Sequence, residues 1–397
     1  MKILAVNAGS STLKWKLFNM PSAEVIAKGQ IERIGLNDAS ETTEFAGKKL
    51  VEKIKSKNHQ EAVTRLLQLL QEYKIVEKLD EIKGVGHRFV NGGTFFSKSV
   101  IVNDETLITM EKLKVLAPLH NPANIMAIKA FRKVLPEALS VAVFDTGFHQ
   151  TMSEENVIYS IPYEFYEKYH VQKFGAHGIS YRFIFNRLLE LTGGKERKNK
   201  TNSILMHLGS GASICAVRNG MSIDTSMGFS PVSGITMQTR SGDVDPSLLI
   251  YLENQLGVSS TRVLDILNKE SGILGISGIS PDMREVFAQK DNNHRADLAV
   301  RVFVNRIVKY IGSYAAELGR IDSLVFTGGI GENIPFIRRM ICSQLGIFNI
   351  ELDEQCNEKA VSVEKKISSA NSAVEVWTIP TNEELMIAED VYDLGKN

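Results

Sequence analysis

The chain has 397 residues, past the size at which a single apolar core keeps growing, so two domains are expected. Apolar residues make up 43% and charged residues 23%, which excludes a disordered chain, a fibre and a small disulfide-stapled domain. Lys plus Arg and Asp plus Glu both total 46, so no basic excess points to a nucleic-acid partner, while a local pair of arginines for a small anion would leave that balance unmoved. Three cysteines, Cys215, Cys342 and Cys356, form no C-x-x-C pair and fit a reduced compartment. The apolar run before Asn7 is too short for a signal peptide, and no run of about eighteen apolar residues occurs, so a cytoplasmic protein without a membrane span is expected.

Ile3–Val6 and Leu13–Phe18 read as two strands joined by a Gly-Ser-Ser turn. Asn121-Pro122 reads as an N-cap followed by proline at the first helical position, with Ile125, Ile128, Phe131 and Leu135 at helical spacing behind it. Ser140–Phe144 is a β-rich run that delivers Asp145 at its end. The stretch 193–202 is polar and reads as a loop. Over 296–318, Ala299, Val302, Phe303, Ile307, Tyr310, Ile311 and Tyr314 form one helical stripe, stopped by Gly319. Ser323–Phe326 reads as a strand, followed by a glycine loop and a helix opened by Pro335. Strands alternating with amphipathic helices give an α/β class. Ala8-Gly9-Ser10-Ser11-Thr12 and Leu208-Gly209-Ser210-Gly211-Ala212 both lie between apolar runs, which suggests a duplicated architecture with a cleft between its halves.

No P-loop G-x-x-x-x-G-K-[ST], no H-E-x-x-H and no G-x-S-x-G occurs, and the histidines show no zinc-like spacing. Small-residue turns are present instead, and these expose backbone N–H groups that an anion can approach. A plain hairpin explains the glycine of Asn7–Lys14, but not three hydroxyls and a lysine on an otherwise apolar strand. Gly328-Gly329-Ile330-Gly331 follows a strand without full G-x-G-x-x-G spacing, which argues against a dinucleotide site. Arg88 and Arg240 stand in glycine-rich, non-helical contexts and offer planar forks for carboxylate or phosphate. Asp145 and Glu383 are hard oxygen donors of the kind magnesium prefers, and His120 and His177 can donate to a developing oxyanion.

Taken together, these stretches resemble the acetate kinase family of the sugar kinase, heat-shock ATPase and actin-like superfamily. The matching motifs are N-A-G-S-S-T-L-K at 7–14, G-H-R at 86–88, P-L-H-N-P at 118–122 and F-D-T-G-F-H at 144–149. They continue with H-G-I-S at 177–180, T-R-S-G-D-V-D-P at 239–246, T-G-G-I-G-E-N at 327–333 and T-N-E-E at 381–384, in family order along nearly the whole chain.

The resemblance implies two duplicated ribonuclease H-like (actin-like ATPase) domains. The N-terminal one is expected over 1–149, with 385–397 packing back on it, and the nucleotide-binding one over 150–384. It implies Mg²⁺-dependent (Mn²⁺ as the alternative) reversible phosphoryl transfer from ATP to acetate, giving acetyl phosphate and ADP, in a homodimer. The catalytic set is then Asp145, Arg88, Arg240, His177 and His120. Asn7, Ser10, Thr12, Lys14, His207, Leu208, Gly209, Ser210 and Gly211 belong to the phosphate loops. Asp282, Met283, Arg284, Gly329, Ile330, Gly331 and Asn333 lie along the nucleoside. Arg88, Val90, Leu119, Ala176 and Pro231 take the acyl group, and Asn7 and Glu383 the metal. Four positions depart from the pattern: Ser210 replaces an asparagine, Asn91 and Tyr181 replace histidines, and Ala176 replaces an aromatic. The last departure leads to the expectation of a widened acyl pocket. The alternatives are therefore a propionate or butyrate kinase, or an actin-like nucleotide-binding scaffold with impaired transfer.

Overall fold

A computed structural model describes residues 1–396 and divides the chain into two compact units. One comprises Met1–Phe148 with the stretch from Asn382 onward, and the other comprises His149–Thr381.

In the first unit the apolar run Ile3–Val6 is the centre of β1 (Lys2–Ala8), which pairs antiparallel with β2 (Thr12–Asn19). β3 (Glu24–Glu32), β4 (Ser40–Phe45) and β5 (Lys48–Lys53) extend that side as hairpins. β6 (Ile82–Phe89) and β8 (Leu139–Phe144) add parallel strands on the other side of β1, and β7 (Val100–Ile101) closes the edge, giving the order β5-β4-β3-β2-β1-β6-β8-β7. Parallel strands are covered on both faces, which is why β1 and β8 read as apolar runs and not as alternating patterns. Helices His59–Glu72 and Asn121–Val134 share one apolar cluster with β1 and β2 through Leu66, Leu70, Ala127 and Phe131. Helix Glu383–Leu394 packs on β6 and β1, with Ile387 and Val391 buried.

The second helix departs from its expected start. His120 is the N-cap residue, and Asn121 and Pro122 are already helical. Asn121 cannot cap because its side chain serves another backbone: Nδ2 donates to Asn91 O at 3.0 Å and to Leu113 O at 2.8 Å.

In the second unit β9 (Asn202–Leu208), β10 (Ala212–Arg218) and β11 (Met221–Thr225) form an antiparallel meander. β12 (Ser323–Thr327) is parallel to β9, β13 (Lys365–Lys366) is an edge strand, and β14 (Glu375–Thr378) is parallel to β12, so the order is β11-β10-β9-β12-β14-β13. The run β11-β10-β9-β12-β14 repeats β3-β2-β1-β6-β8 strand for strand and direction for direction. The two similar small-residue turns therefore occupy equivalent places, joining β1 to β2 and β9 to β10, as two ribonuclease H-like domains require.

The long helix His294–Leu318 starts on Asn293, whose Oδ1 accepts from Arg295 and Ala296 N–H, and stops at Gly319 with φ 74°. Its buried face runs through Ala299, Val300, Phe303, Val304, Ile307, Ile311 and Tyr314, while Val302 and Tyr310 are only half-buried. Tyr310 turns aside because its hydroxyl donates to Asp243 at 2.5 Å. The expected loop at 193–202 contains a short 3₁₀ stretch over Lys195–Lys200 and ends in β9. Thr201 Oγ1 tightens it by donating to Arg197 O at 2.8 Å. Among the described residues no helix is long and apolar enough to cross a membrane.

Two buried polar side chains set testable limits on stability. Arg338 is 0% exposed, and its hydrogen-bond partners among the described residues are neutral oxygens: Asn357 Oδ1 and the carbonyls of Gly331, Asn357 and Ala360, at 2.7–2.8 Å. Arg338→Ala would strand those acceptors beside a cavity, so urea unfolding should show a loss of at least about 3 kcal/mol. His87, in β6, is buried with neither ring nitrogen partnered among the described residues, and burial pushes its pKa down to about 3. Unfolded, the ring takes a proton near pH 6.5, so its contribution is whole above that pH and is lost as pH falls below it. The cost approaches about 1.4 kcal/mol per pH unit. Between pH 6.5 and 5, His87→Leu should lose less stability than wild type by roughly 2 kcal/mol. Equal losses would refute a neutral buried ring.

Candidate active site

In the first unit the candidate residues gather at the ends of β1, β6 and β8. Asn7 lies opposite Lys14 in the β1–β2 pair, and the turn between them closes with Gly9 N–H donating to Thr12 O at 2.8 Å. Two side chains that the sequence did not single out hold this turn. His59 Nε2 lies 2.7 Å from Gly9 O, and Asn124 Nδ2 donates to Ala8 O at 2.7 Å. With the backbone so held, Ser10 and Lys14 stay exposed and Thr12 half-buried.

Arg88 stands next to the last residue of β6, and Asp145 directly follows β8. Arg88 Nε donates to Asp145 Oδ2 at 3.0 Å and Nη2 donates to the same oxygen. Asp145 is fully buried, and its Oδ1 has no partner among the described residues. Burial by itself would lower the Arg88 pKa, but the Asp145, Glu383 and Glu384 carboxylates carry it above its ordinary value. Glu383 opens its helix, and burial lifts its pKa to about 7, with Arg88 pulling it down and Asp145 and Glu384 pushing it further up. The unpartnered Asp145 oxygen, Glu383 and Asn7 are hard donors that suit a small divalent cation. Among the described residues no group of three or more His, Cys, Asp and Glu side chains could hold a metal ion.

The loop after Arg88 is fixed from the start of the helix Asn121–Val134. Val90 N–H donates to Asn124 Oδ1 at 3.1 Å, and Asn91 N–H to Asn121 Oδ1 at 3.2 Å. Asn91 itself accepts from Gly93 N–H at 2.8 Å, a turn-forming role. Val90 is half-buried and Leu119 is 59% exposed, and His120 occupies the N-cap position of the helix Asn121–Val134 without a side-chain cap bond.

In the second unit β9 ends at His207–Leu208 and turns through Gly209-Ser210-Gly211 into β10. The turn is closed by Gly209 N–H to Gly211 O at 3.2 Å and tied outward by Gln238 N–H to Ser210 O at 3.3 Å. A Cβ built on Gly211 would lie 3.2 Å from Arg240 Nη1 and 3.5 Å from His177 Nε2, so both side chains converge on this loop. Arg240 makes no ion pair among the described residues: its one partner there is Met237 Sδ at 4.0 Å, and burial lowers its pKa. Its backbone is strapped by the start of helix Gly272–Ser277, where Ile273 N–H donates to Met237 O at 2.9 Å and Leu274 N–H to Gln238 O at 3.0 Å. Gly272, at φ +63°, is needed there because a Cβ would lie 2.2 Å from Met237 O.

The expected loop after β12 is a single helical turn, Gly328–Asn333, and Pro335 opens a separate helix. It can coil so early because Gly328 takes φ +76°, and a Cβ there would meet the Leu208 backbone at 2.8 Å. Arg338 Nη1 anchors this turn through Gly331 O, and Glu332 Oε1 accepts from Gly328 N–H at 2.7 Å and Thr381 N–H at 3.1 Å. Beside the turn lies a pocket of ≈ 320 Å³ lined by Gly209, Ser210, Gln238, Asp282, Arg284, Gly329, Ile330, Asn333 and Ile334, within the size range of small-molecule sites. Asp282 accepts from Arg284 N–H at 2.8 Å and pairs with its guanidinium at 2.6 Å, so the two face the pocket together. Leu208, Met283 and Ala176 point into the unit's apolar core, Gly331 serves Arg338, and Pro231 is half-buried outside the pocket lining.

Comparison with known proteins gives a consistent picture. The sequence pattern described as the Acetokinase family matches residues 2–389. The acetate kinase of Fructilactobacillus sanfranciscensis is 50% identical over 396 residues, covering 99% of each chain, and that of Bacillus subtilis is 49% identical with 100% of each covered. Among solved structures, Porphyromonas gingivalis acetate kinase superposes with a TM-score of 0.94 at 41% identity, covering 99% of both chains. A propionate kinase from Francisella tularensis superposes with a TM-score of 0.91 at 41% identity, covering 98% of both. The chain belongs to the Acetokinase family, phosphotransferases whose acceptor is a carboxyl group.

Proposed function

We propose that the chain transfers the γ-phosphoryl group of ATP directly and reversibly to acetate, giving acetyl phosphate and ADP. It would act with Mg²⁺ or Mn²⁺, in the cytoplasm and as a homodimer. The observation that carries this reading is Arg240: a largely buried guanidinium that makes no ion pair among the described residues, beside the Gly209–Gly211 turn and His177. Such a cation is best satisfied by an anion that arrives with the substrate.

A carboxylate with a pKa near ~4 is already an ionised nucleophile, so no general base is required. Asp145 accordingly serves as orienter of Arg88, which receives the acetate carboxylate, with Val90 and Leu119 against the methyl group. Arg240 and His177 take the equatorial oxygens of the transferring group, while the pocket bordered by Asp282, Arg284 and Gly329 takes the nucleoside. Asn7 and Glu383 are the residues that would hold the metal, which when bound offsets negative charge on the nucleotide phosphates. Positioning and charge stabilisation are what in-line phosphoryl transfer asks of a protein.

A longer acyl acceptor is the second reading, since one similar structure is named a propionate kinase. Each methylene accommodated is worth up to roughly 0.8 kcal/mol. Trapping acyl phosphates as hydroxamates should give product with acetate, and with propionate at kcat/KM within about fivefold of it. A steep acetate preference would remove the widened pocket. No product with any acid, from protein that still binds ATP, would overturn the kinase reading. Arg240→Ala should lower kcat at least about 100-fold, with the KM values for ATP and acetate little changed, because its charge matters most when the phosphoryl group is in flight. A change confined to KM would make Arg240 a ground-state binder.

A further inference from the structure

Tyr181 stands where the family resemblance leads one to expect histidine, and the second unit gives it a defined place. It lies in the helix Gly178–Leu191 and is 0% exposed. Its Oη is 2.5 Å from Ser213 Oγ, and Ser213 Oγ is 2.8 Å from His177 Nδ1. Ser213 is likewise 0% exposed. His177 is held at φ 59°, and its carbonyl accepts from Tyr181 N–H at 2.9 Å.

Counting protons along this chain fixes its direction. Burial raises the Tyr181 pKa well above 10, so the residue remains a phenol with one proton to give. If Ser213 donated to Tyr181, the phenolic proton would be buried without an acceptor among the described residues. Tyr181 therefore donates to Ser213, and Ser213 donates to His177 Nδ1. The neutral imidazole then carries its proton on Nε2, the nitrogen 3.5 Å from the Cβ position of Gly211, near which Arg240 Nη1 also lies.

We propose that Tyr181 is a positioning residue: through Ser213 it holds His177 as the Nε2–H tautomer, with that proton directed at the 209–211 phosphate loop. This rests on the reading of His177 as a group that donates to the transferring phosphoryl. The assignment separates a relay from mere packing, because a phenylalanine fills the same volume without the donor.

The test uses the full chain labelled with ¹⁵N-histidine, in which long-range ¹H–¹⁵N correlations report each ring's tautomer, and the His177 signals are assigned by their loss in His177→Gln. Wild type should show His177 as Nε2–H. Tyr181→Phe and Ser213→Ala should each move it toward Nδ1–H and lower kcat about tenfold, with KM for ATP and acetate within about twofold. The double variant should be no worse than either single one. Tyr181→His returns a ring N–H donor to this position and should restore both tautomer and rate. An unchanged His177 tautomer in both Tyr181→Phe and Ser213→Ala overturns the proposal, as does a rate loss shared with KM and not rescued by histidine. A shifted tautomer with an unchanged kcat would keep Tyr181 as the positioning residue and remove His177 from the transfer step.

Discussion

A guanidinium drawn partly out of water without a charged partner is costly to hold, and the second unit places one, Arg240, with no ion pair among the described residues. Three arginines of this chain show the available solutions. Arg338 is sealed in and satisfied entirely by neutral oxygens, so its charge is spent on holding the glycine turn and it has nothing left for a ligand. Arg88 is partnered by Asp145, which fixes its direction while three nearby carboxylates keep it charged. Arg240 has neither. It is kept in place by its backbone, through the helix start at Gly272 and the brace of Asp243 on Gly234 N–H at 2.8 Å, so its charge remains available.

The same economy governs the two duplicated sheets. Each presents a small-residue turn at the end of its first parallel strand, where backbone N–H groups and short side chains let an anion approach closely. What differs is the bracing. The first turn is held by His59 and Asn124, polar side chains that donate to its backbone carbonyls. The second is held by Gln238 N–H and by the Leu208 backbone packed against Gly328. Identical topology thus carries two different chemistries, because the residues that surround each turn come from segments that were free to diverge.

Much of this was legible in the sequence. Strand runs, the Gly319 stop and the glycine motifs were readable because each rests on local physics: periodicity, a left-handed stop, a close backbone approach. Motif resemblance supplied the rest of the candidate site. What escaped was set by tertiary partners. Asn121 looks like an N-cap, yet its amide is taken by Asn91 and Leu113. Asn124 lies one turn further along the same helix, and only its contacts with Ala8 and Val90 reveal why an amide belongs there. Arg338, set between Ile337 and Arg339 in an amphipathic helix, gives no sign that it faces inward. The long helix kept its length but rotated its buried face, because Tyr310 found Asp243.

Ser210 shows how a departure from a family pattern can be weighed on geometry. The loop that carries it is shaped by backbone bonds alone, Gly209 N–H to Gly211 O and Gln238 N–H to Ser210 O, so no side chain at 210 is needed to hold it. Exchanging asparagine for serine therefore alters only what the loop offers to a ligand: a hydroxyl with a shorter reach in place of an amide. Phosphoryl transfer depends mainly on neutralising charge that spreads over the equatorial oxygens, and on the proposed reading that part falls to Arg240 and the bound metal. On that reading, a shortened neutral donor beside a guanidinium with no ion pair among the described residues weakens one hydrogen bond and leaves the dominant electrostatic contribution where it was.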